Sequence, residues 1–227
     1  MAIYAISDLH LSFSVNKPMD VFGADWKNYT DILKQNWNDI VTEDDIVLMP
    51  GDTSWGTYLK DSLSDFKFID DLPGKKIITK GNHDYWWETV TKMNAFLKEN
   101  NIKTIEFLHN SAVLYDNIAI CGTKGYPDNL TKSDDERLYQ RELSRLNLSL
   151  SKAKNLNPDK IVVMLHYPPD IHSDFAKIMQ ENNVNFCIYG HLHAAGIKNA
   201  FSGLSGGITY ELVSCDYLKF RPIRIDI

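Results

Sequence analysis

The 227-residue sequence predicts a layered α/β fold. Three observations carry that expectation. Short apolar, strand-like runs alternate with longer amphipathic stretches. The composition, 44% hydrophobic and 24% charged, is that of an ordinary globular chain. No apolar run approaches the roughly 18–20 residues that a membrane helix needs. The length suits a single domain over residues 1–227.

The elements follow in order. Ile3 to Ser7 reads as a strand, followed by a loop rich in Asn, Pro and Gly. A helix is expected from about Asp25 to Val41, because Trp26, Tyr29, Leu33, Trp37 and Ile40 recur every three or four residues. Ile46 to Met49 is a second strand; Leu59, Leu63, Phe66 and Ile69 mark a helix that stops near Pro73-Gly74. Ile77-Ile78 is a third strand, with a helix after it through Val90, Met93 and Leu97. Ala112 to Tyr115 and Ile118 to Cys121, joined by Asp116-Asn117, read as a tight hairpin. Gly122 to Lys132 is a polar loop. Ser133 to Glu136 has capping-box spacing and opens a helix carrying Tyr139, Leu143, Leu146, Leu150 and Ala153. Strands at Ile161 to Leu165 and Phe186 to Tyr189 flank a helix around Phe175 to Met179; Ile208 to Ser214 and Phe220 to Ile227 end the chain as strands.

The residues that follow the strands are the informative ones. Asp8-Leu9-His10, Gly51-Asp52, Gly81-Asn82-His83-Asp84, His166 and Gly190-His191-Leu192-His193 each sit just after a strand-like run, and five of the seven histidines fall there. In sheets with helical crossovers, ligands bind at the carboxyl ends of strands, so these loops are expected on one rim. Imidazole nitrogen, carboxylate oxygen and amide oxygen together suit manganese, iron or zinc. In Asp8-x-His10 and His191-x-His193 the paired residues lie two apart and point to the same side of an extended strand end. Glycines before Asp52, Asn82 and His191 permit sharp turns and close backbone approach.

The order D-x-H, G-D, G-N-H-D, H, G-H-x-H, running from Asp8 to His193, resembles the calcineurin-like metallophosphoesterase superfamily. The resemblance implies a two-sheet β-sandwich flanked by helices and a centre of two divalent ions, manganese first, with iron, zinc or nickel as alternatives. It assigns Asp8, His10, Asp52 and His193 to one metal, and Asp52, Asn82, His166 and His191 to the other, with Asp52 bridging. His83 becomes a non-ligand histidine that stabilises the transition state or protonates the leaving oxygen, and Asp84 orients its imidazole. Two divalent ions, the Asp8 and Asp52 carboxylates, neutral partners and a bridging hydroxide leave the centre with a net charge of about +1. The implied reaction is direct hydrolysis of a small phosphoester, monoester or diester, by metal-activated water, without a phospho-enzyme intermediate.

Each motif alone has a plainer reading. Gly51-Asp52 would be a turn, and His166, before Tyr167-Pro168-Pro169, a packed histidine. His109 and His172 match no motif and are expected to be structural or surface residues. A net charge of −6 argues against a nucleic-acid polymer as partner. Cys121, Cys187 and Cys215 are odd in number and far apart, which points to buried thiols in a reducing cytoplasm. The N-terminus lacks a basic n-region before its apolar stretch, so no signal peptide is expected.

Substrate signals are thinner. Phosphoprotein phosphatases of the family carry arginines after the second motif and before G-N-H; here those stretches read Thr53-Ser54-Trp55-Gly56 and Lys80-Gly81. The lipid-A-pathway diphosphatases place arginine where this chain has His83. Tyr126 and Trp86 are the candidate substrate contacts, beside Tyr85, Trp87 and Lys124, although a tryptophan there more commonly packs in the core. Arg137, Arg141 and Arg145 form a helical stripe that either engages a second phosphate or is a solvated face paired with Glu136 and Glu142, the plainer reading. Residues 122–157 are expected to cover the site and set specificity. The rival reading is a non-catalytic scaffold or metal-binding regulatory protein on the same fold. Oligomeric state is left open.

Overall fold

Alternating burial along the central strands creates three apolar interfaces, and these stack the chain into four layers. The structure, a computed structural model, describes residues 1–127 and 133–227, with side chains from residue 135 in the second stretch. The elements in order are β1 (Ile3–Ala5), α1 (Tyr29–Asn38), β2 (Ile46–Met49), α2 (Leu63–Asp70), β3 (Lys75–Ile78), α3 (Val90–Glu99), β4 (Ile105–Phe107), β5 (Ala112–Tyr115) and β6 (Ile118–Thr123). Then follow α4 (Ser133–Lys154), β7 (Lys160–Leu165), α5 (Asp174–Glu181), β8 (Phe186–Tyr189), β9 (Gly203–Ser205), β10 (Ile208–Leu212) and β11 (Ile223–Arg224).

One sheet has the order β11-β1-β2-β3-β4 and the other β5-β6-β7-β8-β10-β9. In both, the central strands are parallel and the antiparallel partners lie outside them. Ile3, Ala5, Ile46, Leu48 and Ile77 face Ile120, Val162, Met164, Phe186 and Ile188 between the sheets. The alternate residues face outward: Val47, Met49 and Ile78 pack on Leu33, Trp37, Phe66 and Met93 of α1 to α3. On the other side Cys121, Val163, Leu165 and Tyr189 pack on Leu143, Leu146 and Leu150 of α4 and on Phe175 and Met179 of α5. Strands buried on both faces read as continuous apolar runs, which is why these were visible in the sequence. This is the expected two-sheet sandwich flanked by helices.

Several boundaries differ from expectation. The helix foreseen from Asp25 to Val41 is broken at Asn28 (φ 54°), which separates a short 3-10 turn at Ala24–Trp26 from α1. Asn adopts that left-handed conformation at low cost. The final strand shrinks to β11 because Lys219 and Phe220 have φ of 53° and 58° and close a turn, with Phe220 N donating to Cys215 O at 2.7 Å. The edge strands β4 and β9, three residues each, were not foreseen. The hairpin is as expected: Asp116 (φ 43°) and Asn117 (φ 64°) both take the left-handed conformation that a tight primed turn requires. The side chains of the capping box at Ser133 and Asp134, and residues 128–132 of the polar loop, lie outside what the structure describes.

The parallel strands β1, β2, β3, β7 and β8 end at one edge of the sandwich. The sheets are tied there by a parallel bridge between Ser7 and Ser214, with Ser7 N donating to Val213 O at 2.7 Å and Cys215 N to Ser7 O at 3.0 Å.

Candidate metal centre

At that edge the five loops converge. Asp8, Asp52 and His166 are buried, as is His10, while Asn82, His83, His191 and His193 are partly open to solvent. Asp8, His10, Asp52 and His191 all have positive φ, at 58°, 47°, 51° and 72°. That conformation costs a non-glycine residue of order 1–3 kcal/mol, and it aims the side chains off the strand ends into a common space. Gly81 and Gly190 allow close approach: a Cβ on Gly81 would collide with the Asp52 carboxylate and backbone, and one on Gly190 with the Asp8 carboxylate and Ser7 Oγ.

The side chains form two overlapping groups. In one, His193 Nε2 lies 3.3 Å from Asp8 Oδ1 and His10 Nε2 lies 3.8 Å from Asp52 Oδ2. In the other, Asn82 Oδ1 lies 2.6 Å from His166 Nε2 and 2.9 Å from His191 Nδ1, while His166 Nε2 lies 3.5 Å from Asp52 Oδ2. Asp8, His10 and His193 bring ligand atoms within 4.8 Å of one another, and so do Asp8, Asp52 and His166.

The donor set fits a cation. His166 Nδ1 lies 3.0 Å from Pro50 O, a pure acceptor, so Nδ1 carries the proton. Burial pushes the His166 pKa down, so the ring is neutral and Nε2 presents a lone pair towards Asn82 and Asp52. Burial also lowers His10 to about 3 and His191 to about 4. Burial and then the Asp8 charge push Asp52 up to about 8. Burial would raise Asp8 too, but the His193 hydrogen bond and the neighbouring histidines hold it well below the usual carboxylate range. Two carboxylates that oppose each other's ionisation, beside the neutral imidazoles of His10, His166 and His191, are the arrangement that divalent cations relieve.

The surroundings hold these groups in place. Ser7 Oγ hydrogen-bonds to Asp8, and Ser214 Oγ donates to Asp8 Oδ2 at 3.3 Å. His193 Nδ1 lies 2.8 Å from Asp216 Oδ1, the carboxylate–imidazole pairing that orients metal-binding histidines. Burial would lower His193, but Asp216 and Asp8 outweigh it and raise the ring to about 10. Asp216 was missed in the sequence, although it follows β10 just as the recognised residues follow their strands. Trp55 was missed as well; it stacks on His10 with centroids 4.8 Å apart and planes at 21°. So was Tyr167, whose ring lies 4.4 Å from that of His191.

Three expectations need correction. Asp84 does not reach behind His83. Its Oδ2 accepts from Asp52 N at 2.9 Å and Gly81 N at 2.7 Å; its Oδ1 accepts from Thr53 N at 2.9 Å, Ser54 N at 3.4 Å and Trp86 Nε1 at 3.0 Å. It therefore ties the second and third loops together, while the His83 ring has the Tyr85 hydroxyl at 3.5 Å. Trp86 is no substrate contact: it is 1% exposed and packs edge-on against Phe66 at 4.9 Å. Glu142 does pair with Arg141 and Arg145, at 3.3 Å and 2.6 Å, but it is fully buried and not on a solvated face. Tyr126 lies one aromatic layer further out, 6.1 Å from Tyr167, with its hydroxyl donating to Asp135 at 3.0 Å. His109 and His172 lie outside the convergence, as expected.

The family model for calcineurin-like phosphoesterases matches residues 1–195. The chain belongs to that family. Among solved structures, it is similar to phosphopantetheinyl hydrolase from Mycobacterium tuberculosis, at 12% identity over 99% of this chain and 95% of that one, with a TM-score of 0.58. It is also similar to a protein of unknown function from Aquifex aeolicus, at 17% identity over 98% and 95% of the two chains, with a TM-score of 0.52. At these identities the likeness concerns the fold. No curated protein sequence matches the chain significantly. Among the described residues, no helix is long and apolar enough to cross a membrane.

Proposed function

We propose that this calcineurin-like phosphoesterase is a dinuclear metal-dependent hydrolase of a small phosphoester. The observation that carries the reading is two ligand groups that overlap at Asp8, with Asp52 Oδ2 between them, 3.8 Å from His10 Nε2 and 3.5 Å from His166 Nε2. Asp8, His10, Asp52 and His193 would hold one divalent ion, and Asp52, Asn82, His166 and His191 the other, with manganese the preferred metal given this mixed N/O set. Bound ions would supply positive charge for the phosphoryl oxygens and lower the pKa of a coordinated water towards neutrality.

The chain's own residues do the rest. The His83 ring is half-exposed, with its backbone N–H donating to Asp52 Oδ1 at 2.7 Å, so the imidazole is fixed at the mouth of the site. Burial and the neighbouring histidines push its pKa down, which favours the neutral ring, and its proposed part is to hydrogen-bond a phosphoryl or leaving oxygen. Asp84 positions the Asp52 and Asn82 loops, and Asp216 orients His193. Trp55, Tyr85 and Tyr167 wall the opening beside His83, His10 and His191 and present aromatic surface to the organic part of a substrate. No residue in the arrangement is a placed nucleophile with its own base, which favours direct hydrolysis over a phospho-enzyme.

Residues 122–157 are proposed to set specificity from one side of the site. The three cysteines are free and buried, which supports a cytoplasmic setting. The likeness to a phosphopantetheinyl hydrolase adds a phosphopantetheinyl compound to the candidate substrates. The test is a screen of the manganese-loaded protein against aryl phosphate, aryl phosphodiester and cyclic nucleotides, with Asp52→Asn and His83→Ala as controls. Hydrolysis of none of them would favour the scaffold reading; equal turnover in Asp52→Asn would remove the metal assignment.

A further inference from the structure

Beside the candidate centre lies a cavity of about 70 Å³ lined by Lys80, Lys124, Arg141 and Arg145, with Thr123 and Glu142 on its wall. A water molecule needs roughly 10–15 Å³ on this measure, so the space holds several waters or one tetrahedral oxyanion. Four cations face one carboxylate there. Glu142 is fully buried, and both its oxygens are already engaged: Oε2 by Thr123 Oγ1 at 2.5 Å, Oε1 by Arg145 Nη1 at 2.6 Å and Arg141 Nη2 at 3.3 Å. Among the described residues, the Lys80 and Lys124 amines have no carboxylate partner within ion-pair distance. Lys124 Nζ instead lies over the rings of Tyr126 and Tyr167, at 5.8 Å and 5.4 Å. Among the described residues the wall carries an excess of about three positive charges, on a chain with net charge −6, which favours an anion in the cavity.

The cavity is coupled to the site through the backbone. Lys80 precedes Gly81-Asn82, and two residues of extended chain span at most roughly 7 Å. Lys124 O accepts from His166 N and Tyr167 N, each at 3.0 Å, and the Tyr167 ring touches His191. An oxyanion held here would thus sit a short covalent linker away from a phosphoryl group at the centre. Glu142 holds the two guanidinium groups in fixed orientation, as a pre-organised oxyanion clamp requires.

We propose that this cavity is a second phosphate subsite, so that the preferred substrate is a small phosphoester carrying two phosphoryl groups. The proposal rests on the phosphohydrolase reading above and names its substrate class. It is tested in two arms on the full chain. In the first, protein stripped with EDTA is titrated with pyrophosphate by calorimetry, and the cavity variant reports how much of the binding the cavity carries. One site is expected, weakened at least tenfold in Lys124→Met/Arg141→Gln, a variant that leaves Arg145 on the buried Glu142. In the second arm, the manganese-loaded protein is assayed on a nucleoside 3′,5′-bisphosphate and on the matching 5′-monophosphate. The kcat/KM ratio is expected to favour the bisphosphate at least tenfold and to collapse in the variant.

No pyrophosphate binding to the stripped wild type, or equal binding to the variant, overturns the subsite. Binding with a ratio near one makes it a site for a free anion and overturns the substrate assignment. If the loaded protein hydrolyses neither compound, the hydrolase reading fails while the first arm still decides the cavity. Lys80→Met gives an independent variant should the double substitution fold poorly.

Discussion

Asp84→Asn isolates the role that the structure gives Asp84 from the role its place in the third motif suggests. Its carboxylate accepts from four backbone N–H groups and the Trp86 indole, all at 2.7–3.4 Å and with the side chain fully buried. In asparagine one oxygen becomes an NH₂ that cannot accept. Whichever way the amide turns, at least two of those bonds are lost, the pair to Asp52 N and Gly81 N or the group to Thr53 N, Ser54 N and Trp86 Nε1. Leaving two buried donors unsatisfied costs about 2–6 kcal/mol. For a domain of this size, each kcal/mol lowers Tm by roughly 2–4 °C, so a fall of at least ~4 °C is expected. The comparison belongs at pH 8.5 in EDTA, because burial and the Asp52 charge push the Asp84 carboxyl up to about 7 and the ionised form must be compared. A Tm within about 1 °C of wild type, together with a shifted pH–rate profile, would refute the loop-tying role and restore an orienting role towards His83.

Trp86→Ala should destabilise by about 3–5 kcal/mol, measured by urea unfolding, because it empties a fully packed site; an unchanged unfolding midpoint with a raised KM would return Trp86 to the substrate. Asp216→Asn weakens the hold on His193, so the metal concentration for half-maximal activity should rise about 10–100-fold; a change in kcat alone would contradict the orienting role. Manganese at 100 times its dissociation constant should add about 2.7 kcal/mol of stability to wild type and much less to Asp52→Asn, read as a Tm difference. The Asp45 carboxylate accepts from Ala2 N, Thr42 N and Thr42 Oγ1; burial works against these bonds, yet its pKa is lowered from 3.8. Its contribution is present above the unfolded pKa and lost as pH falls through the folded one. The stability gap between wild type and Asp45→Asn should therefore close below pH ~4, and a gap that persists there would refute the assignment.

What the sequence made legible follows from local physics. Strands such as Ile46–Met49 and Phe186–Tyr189 are buried on both faces, so they stood out as apolar runs, and the residues just after them marked the rim. The short edge strands β4 and β9 gave no such signal, since three residues with a polar or exposed centre carry no periodicity. The candidate ligands stood out by residue type and glycine neighbours, which are local features, but not for the reason of an extended two-residue spacing, since Asp8, His10 and His191 take left-handed φ of 58°, 47° and 72°. Their supports did not stand out. Asp216 reaches His193 across 23 positions, and Asp84 binds backbone groups 30 to 32 positions away, so a role assigned from its motif neighbour His83 was misplaced. Glu142 looked like a surface partner because helical spacing shows which face a residue lies on, but not that Thr123 at the end of β6 packs against it and buries it.

We propose that Asp52 is shared between two cations at a phosphoester-hydrolysing centre. The most direct measurement is aryl phosphate hydrolysis by EDTA-stripped protein as manganese is added back, beside Asp52→Asn. No turnover is expected without metal, then a rise that saturates near two equivalents of tightly bound ion, and no recovery in the variant. Turnover that persists in EDTA, or that Asp52→Asn regains at the same metal concentration, would contradict it.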